Sequence, residues 1–134
     1  MHQDTKLPGD HVLVVDDDPT ILDLVTELLE DEGYTVQRAN DGQEAWQAII
    51  RTPPMLLVTD IRMPCMTGGE LVIRLRAHGY AFPILVMAAS PALAVPLLSF
   101  DDLEFIAKPF ELELLLDGVR RYAAPATSPR TQLG

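Results

Sequence analysis

The sequence predicts an α/β fold: five βα units forming a doubly wound, parallel five-stranded sheet with an atypical fourth helix. Short apolar runs, several of them β-branched, alternate five times with segments whose apolar residues recur at helical spacing. Gly, Pro and Asp punctuate most changes of period. The length, 134 residues, suits one domain.

The elements follow in order. Val12-Leu13-Val14-Val15 is a strand buried on both faces that runs into acids. Asp18 is placed to cap the next helix and Pro19 to open it. Ile21, Leu24, Val25, Leu28 and Leu29 form its apolar face, and Gly33 stops it. Thr35 to Arg38 is a short second strand. Asp41-Gly42 turns the chain into a helix carrying Ala45, Trp46, Ile49 and Ile50, which Pro53-Pro54 breaks. Met55 to Thr59 is the third strand, ending at Asp60. A loop with Pro64, Gly68 and Gly69 leads to a helix that buries Leu71, Val72 and Leu75 and stops near His78-Gly79. Pro83 to Ala88 is the fourth strand. Ser90 to Phe100 holds the fourth helix, which Pro91 and Pro96 limit. Leu103 to Ala107 is the fifth strand. Glu111 to Tyr122 is the last helix, with Leu112, Leu115, Leu116 and Val119 turned inward. The expected folded domain is residues 11–122. Residues 1–10 are a flexible lead, and residues 123–134, rich in Pro, Ser and Thr, are a disordered tail or the start of a linker.

Composition narrows the function. Asp and Glu number 20 against 10 Lys and Arg, a net charge of −10. Such a surface argues against nucleic acid or anionic lipid as a partner of this domain and suits a cation or a basic partner. Ala77 to Phe100 is 24 residues without a Lys, Arg, Asp or Glu, long enough to cross a bilayer. Pro83, Pro91 and Pro96 exclude that reading, because they would leave backbone groups unpaired in lipid. Met1 to Asp10 is polar, without the apolar stretch expected of a secretory signal, and the single cysteine, Cys65, cannot form an internal disulfide. Both fit a cytoplasmic location.

Parallel sheets of this kind bind ligands at the carboxyl ends of their strands. Asp16-Asp17-Asp18 follow the first strand, Asp60 the third, Ala88-Ala89-Ser90 the fourth and Lys108-Pro109 the fifth. Singly, each has an ordinary explanation as a helix cap, a solvated turn or a surface lysine. Together, with the first and third strands adjacent, they crowd carboxylates whose repulsion calls for a cation and a fixed positive charge. Mg²⁺ suits such oxygens, and Lys108 supplies the fixed charge. An ionised Asp60 beside both is a competent nucleophile toward a phosphoryl group.

These residues resemble the receiver domain of bacterial two-component response regulators, over about Val12 to Tyr122. Val12-Leu13-Val14-Val15-Asp16-Asp17-Asp18-Pro19 is similar to the family's first strand and acidic pair. Asp60-Ile61-Arg62-Met63-Pro64-Cys65-Met66-Thr67-Gly68 is similar to its phosphoacceptor segment, and Lys108-Pro109-Phe110 to its Lys-Pro-Phe signature. The resemblance implies a flavodoxin-like sheet in strand order 2-1-3-4-5. It implies phosphorylation of Asp60 by a sensor histidine kinase or phosphotransfer protein, in a domain that assists this chemistry without being a conventional enzyme. Mg²⁺ would be held by Asp16, Asp17, Asp60 and the backbone carbonyl of Arg62, Asp17 more directly than Asp16. Lys108 would contact the phosphoryl group, the Lys108–Pro109 bond would be cis, and Phe105 would be the switch aromatic. A homodimer would use the fourth and fifth helices and fifth strand. The output is an unknown protein or a missing output domain; the chain is either a stand-alone receiver or part of a longer regulator.

The sequence departs from the family at the fourth strand. A Thr or Ser whose hydroxyl donates to the phosphoryl group is expected where Ala88 stands. Ser90 lies two residues on and would need a shifted loop to replace it. Ala88 thus marks an altered switch, and it favours one alternative, a phosphorylation-independent pseudo-receiver that binds partners. Asp16-x-Asp18-x-Thr20 also resembles the first motif of haloacid-dehalogenase-type phosphatases, with Asp16 as nucleophile. Asp101-Asp102 precedes Lys108 here, the reverse of that family's order.

Overall fold

In the computed structural model, residues 9–63, 66–97 and 99–125 are described. The apolar run Val12–Val15 is β1, and all four residues are buried. Asp18 caps α1 (Pro19–Asp31), its side chain accepting from the Thr20 amide, and Pro19 sits at the opening of the helix. The helix ends where Gly33 takes φ 96°, so that its amide bonds Glu30 and the Tyr34 amide bonds Leu29. β2 is Val36–Ala39 and α2 is Gly42–Arg51, capped by Asp41 onto the Glu44 amide. β3 is Leu56–Asp60, and α3 is Gly68–Ala77 with a reciprocal Thr67–Glu70 capping box. β4 is Ile84–Ala88. The fourth crossover helix is one turn, α4 (Pro91–Ala94), followed by a 3₁₀ turn at Val95–Leu97. β5 is Leu103–Ala107 and α5 is Leu112–Tyr122.

All strands are parallel, in the order β2-β1-β3-β4-β5. Alternation along each strand builds two cores. Leu13, Val15, Leu57 and Val86 face α2, α3 and the α4 segment, packing on Ile49, Leu71, Leu75 and Leu97. Val12, Val14, Val58 and Leu85 face α1 and α5, packing on Leu22, Val25, Leu115 and Val119. The charge-free stretch Ala77–Phe100 becomes β4, a turn and the short α4 segment, as its prolines require. No helix among the described residues is long and apolar enough to cross a membrane.

Four readings are corrected, two of strand limits and two of side chains. β2 and β3 lie one residue later than expected, so Asp60 is itself the last residue of β3. Leu24 is 41% exposed and Leu112 39% exposed. Each lies on the edge of its helix's apolar arc, while Leu22, unremarked in the sequence, fills the α1 core. The expectations for the first eight residues and for residues 126–134 lie outside the described residues. Ala123 is described, and its carbonyl accepts from the Tyr34 hydroxyl at 3.1 Å.

The short fourth crossover is tied down by Arg76 of α3. Its guanidinium donates to the carbonyls of Tyr80 and Phe82, each at 2.9 Å, and of Asp101 at 3.2 Å. Asp102, the next residue, takes φ 55° and hands its carbonyl to the Ile84 amide.

Candidate functional site

Three carboxylates meet at the carboxyl end of the sheet. Asp16 and Asp17 follow β1, Asp60 ends β3, and one oxygen from each lies within 4.8 Å of the others. Asp16 is fully buried, Asp60 nearly so, and Asp17 is exposed. Lys108, after β5, reaches over them. Its Nζ is 3.1 Å from Asp16 Oδ2 and 3.4 Å from Asp60 Oδ1. The other Asp16 oxygen accepts from the Asp18 amide at 2.9 Å, which fixes its rotamer from the start of α1.

The electrostatics follow from this crowding. Burial pushes the Asp60 carboxyl above the usual carboxylate range, and the charge of Asp16 adds to the push. Lys108 and the Arg62 backbone N–H act the other way by bonding the ionised form. Lys108 is opposed by its own burial, yet Asp16 and Asp60 together hold its pKa above the ordinary lysine value. Three carboxylates against one ammonium leave two negative charges, which a divalent cation would balance. Hard oxygen donors with one exposed member suit Mg²⁺, which keeps several of its waters. The residues present therefore fit that ion.

The loop after Asp60 is held by a close approach. A Cβ on Gly68 would stand 2.1 Å from the Asp60 carbonyl oxygen and 2.7 Å from the Ile61 Cα. The Gly68 amide also donates to the Ile61 carbonyl at 2.9 Å. Only a residue without a side chain lets α3 begin this near Asp60.

Residues 12–120 match the family model described as the response regulator receiver domain. The chain belongs to the response regulator receiver family. It is 38% identical over 112 residues to the response regulator MprA of Mycobacterium leprae, covering 81% of this chain and 49% of that protein. It is 34% identical over 121 residues to the transcriptional regulatory protein FixJ of Bradyrhizobium diazoefficiens, covering 87% of this chain and 59% of that one. The chain thus spans about half the length of the curated relatives it matches. Among solved structures it resembles chemotaxis response regulator CheY4 of Vibrio cholerae, with TM-score 0.77 and 33% identity over 84% of this chain and 97% of the other. It also resembles response regulator TrrA of Thermotoga maritima, solved in complex with Mg(2+)-BeF, with TM-score 0.76 and 29% identity over 85% and 99% of the two chains.

Within this receiver, the remaining site residues fall as follows. Ala88 ends β4 opposite Ala107, is buried, and its carbonyl accepts from the Lys108 amide at 2.8 Å. The Ser90 hydroxyl oxygen accepts from the Ala92 amide at 3.3 Å, so it serves as the cap of α4. Phe105 is half-buried on β5 and packs against the core on the α3 side. The side chain of Arg62 is exposed. The Lys108–Pro109 bond is cis.

Sequence reasoning missed the surroundings of the pocket. Ile21, Leu24, Phe110 and Leu112 line an apolar hollow of about 380 Å³ with Lys108 at its edge. The signal was present in α1, where six apolar residues make an arc wider than one core face needs. The roles of Gly68 and Arg76 rest on contacts between elements, which no spacing along the chain announces.

Proposed function

We propose that Asp60 accepts a phosphoryl group from a sensor histidine kinase or phosphotransfer protein, with Mg²⁺ as cofactor, and that Ala88 alters the switch that follows. The observation carrying this reading is the meeting of Asp16, Asp17, Asp60 and Lys108 at one strand edge. An Asp60 carboxylate oxygen attacks phosphorus, the bond from phosphorus to the donor's imidazole nitrogen breaks, and that nitrogen keeps the electron pair. Lys108 Nζ, already 3.4 Å from Asp60, draws the phosphoryl oxygens by charge and hydrogen bonding. Asp16, Asp17, Asp60 and the Arg62 carbonyl would hold Mg²⁺, Asp17 more directly than Asp16. The ion, when bound, supplies charge neutralisation to the transferring oxygens. The hollow walled by Ile21, Leu24 and Leu112 receives the donor protein beside the pocket.

Ala88 offers no hydroxyl to the phosphoryl group, and the Ser90 oxygen, two residues on, is drawn to the start of α4 by the Ala92 amide. Phosphorylation of Asp60 is therefore coupled to Phe105 more weakly than a Thr or Ser at position 88 would allow. The output is a separate protein or an attached domain, and a homodimer would use the α4, β5 and α5 face around Phe105 and the Glu104–Arg121 ion pair.

The test is intact-mass analysis after acetyl phosphate, with and without Mg²⁺, on the wild type and Asp60→Asn. One Mg²⁺-dependent adduct, absent in the mutant, is expected. An adduct that survives Asp60→Asn would move the chemistry to Asp16 and the phosphatase-like reading. No adduct from acetyl phosphate or from a histidine kinase would leave the pseudo-receiver, which Ala88 favours.

A further inference from the structure

The truncation of the fourth helix uncovers a groove on the α3 side of the molecule. Its apolar lining is Ile61, Ile73, Leu93, Pro96 and Leu97, Arg62 and Glu70 also line it, and its volume is about 330 Å³. Ile73 points outward from α3 and is 50% exposed, and Val95 on the neighbouring 3₁₀ turn is 60% exposed. Apolar side chains left open together mark a contact surface more often than isolated ones do. Across α3 lies a second, larger hollow of about 620 Å³, lined by Asp41, Glu44, Glu70 and Arg74. Glu70 belongs to both. The one cation in the larger hollow is engaged elsewhere: the Arg74 guanidinium lies 4.5 Å from the centre of the Trp46 ring.

Apolar groove and acidic flank therefore run side by side, separated by one exposed turn of helix. We propose that this surface docks a basic amphipathic helix of a partner protein. Its apolar face seats between α3 and the α4 segment, and its Lys and Arg side chains reach over Ile73 to Glu70, Glu44 and Asp41. Charge complementarity selects this occupant: the larger hollow is acidic, with Asp41, Glu44 and Glu70 against Arg74, while Arg62 and Glu70 balance in the groove that takes the apolar face. The three carboxylates keep free lone pairs beyond their capping bonds, and the net charge of −10 draws a cationic partner from a distance. A helix laid in a groove by residues at i, i+3, i+4 and i+7 is a recurrent way to meet such a surface. The assignment goes beyond phosphorylation of Asp60 and does not depend on it.

Trp46, the sole tryptophan, borders the acidic hollow through Arg74 and reports occupancy. The probe is a synthetic helical peptide of about 18 residues, five turns, with Leu along one face and Lys along the other. A scrambled peptide of the same composition and a Leu/Glu counterpart serve as controls. Saturable change in Trp46 emission is expected with the Leu/Lys helix alone. Ile73→Asp should raise its Kd at least tenfold. Glu70→Gln, which keeps the capping acceptor and removes the charge, should raise it about threefold. Leu114→Asp, on the far side of the sheet, should leave it within twofold. Equal binding of the scrambled peptide, equal loss in Leu114→Asp, or no saturable binding would overturn the assignment. The same titration on Asp60→Asn should give the wild-type Kd, so a failed phosphorylation experiment and a failed docking experiment remain separate results.

Discussion

The crossover through α3 and the crossover through α4 solve the same problem with different means. Each must return the chain along a five-residue strand, about 17 Å at ~3.3 Å per residue. The ten residues of α3 supply about 15 Å of rigid rod. α4 and its 3₁₀ turn, four and three residues, supply about 12 Å between them. The shortfall is made up by irregular chain that passes through a left-handed Asp102 and hangs on Arg76. The contrast separates two tasks. Asp16, Asp60 and Lys108 stand at rigid strand ends, and the short α4 segment between β4 and β5 is held by a borrowed side chain.

The strongest way to break this contrast is to disturb the rigid side. Gly68→Ala drives a Cβ into the Asp60 carbonyl, a backbone atom that cannot step aside. A loss of about 3 kcal/mol, read as a Tm lower by ~10 °C, and a phosphorylation rate at least tenfold lower by intact mass are expected. Wild-type values for both would show that the loop does not need this approach.

Arg76→Ala attacks the other side. It strips three carbonyls of their charged donor and should cost about 2 kcal/mol. Hydrogen exchange should speed up around Asp101 and at the start of β5, while acetyl-phosphate labelling of Asp60 stays near wild type. Loss of labelling would mean that the two regions are not separate. Arg76→Lys should behave much like the alanine variant, since an ammonium cannot span acceptors set for a planar fork.

A smaller effect sharpens the electrostatics. Asp60 has a raised pKa in the fold, so its ionisation is less favourable folded than unfolded. The penalty grows as pH rises from the ordinary carboxylate value through the raised one and is complete above it. Asp60→Asn should therefore be more stable than wild type at pH 7, by about 1 kcal/mol or ~2–4 °C in Tm. The advantage should shrink as the pH falls into the acid range, and thermal melts from pH 3 to 8 would show a constant difference if the cause lies elsewhere. The smallest change is Ala88→Thr. Inserted into a buried site, it should cost about 1 kcal/mol and strengthen the response of Phe105 to phosphorylation, read by NMR shifts. No change in those shifts would place the weak link beyond Ala88.

Much of this was legible in the sequence for a simple reason. A strand buried on both faces is an unbroken apolar run, so its end is visible, and the ends are where Asp16, Asp17, Asp60 and Lys108 sit. Pro91 and Pro96 likewise announced a curtailed fourth helix. Strand limits slipped by one at β2 and β3 because hydrogen-bond register, not hydrophobicity, sets them. Leu24 and Leu112 were misplaced for a different reason. Helical spacing identifies an apolar arc but does not say how much of it the neighbouring element covers. Gly68 and Arg76 act on residues that only the tertiary fold brings near.

The bond between Tyr34 and Ala123 fixes where the backbone leaves the domain. Tyr34 sits just before β2, beside the starting ends of the strands, and its hydroxyl anchors the residue after α5 there. Asp60 stands at the opposite edge. Any polypeptide that returns from Ala123 to the carboxylates must climb the full height of the sheet, and at ~3.3 Å per residue that takes at least about five extended residues. Tether length, counted from this anchor, therefore sets which covalently attached group can reach Asp60 and which can act only through the body of the sheet.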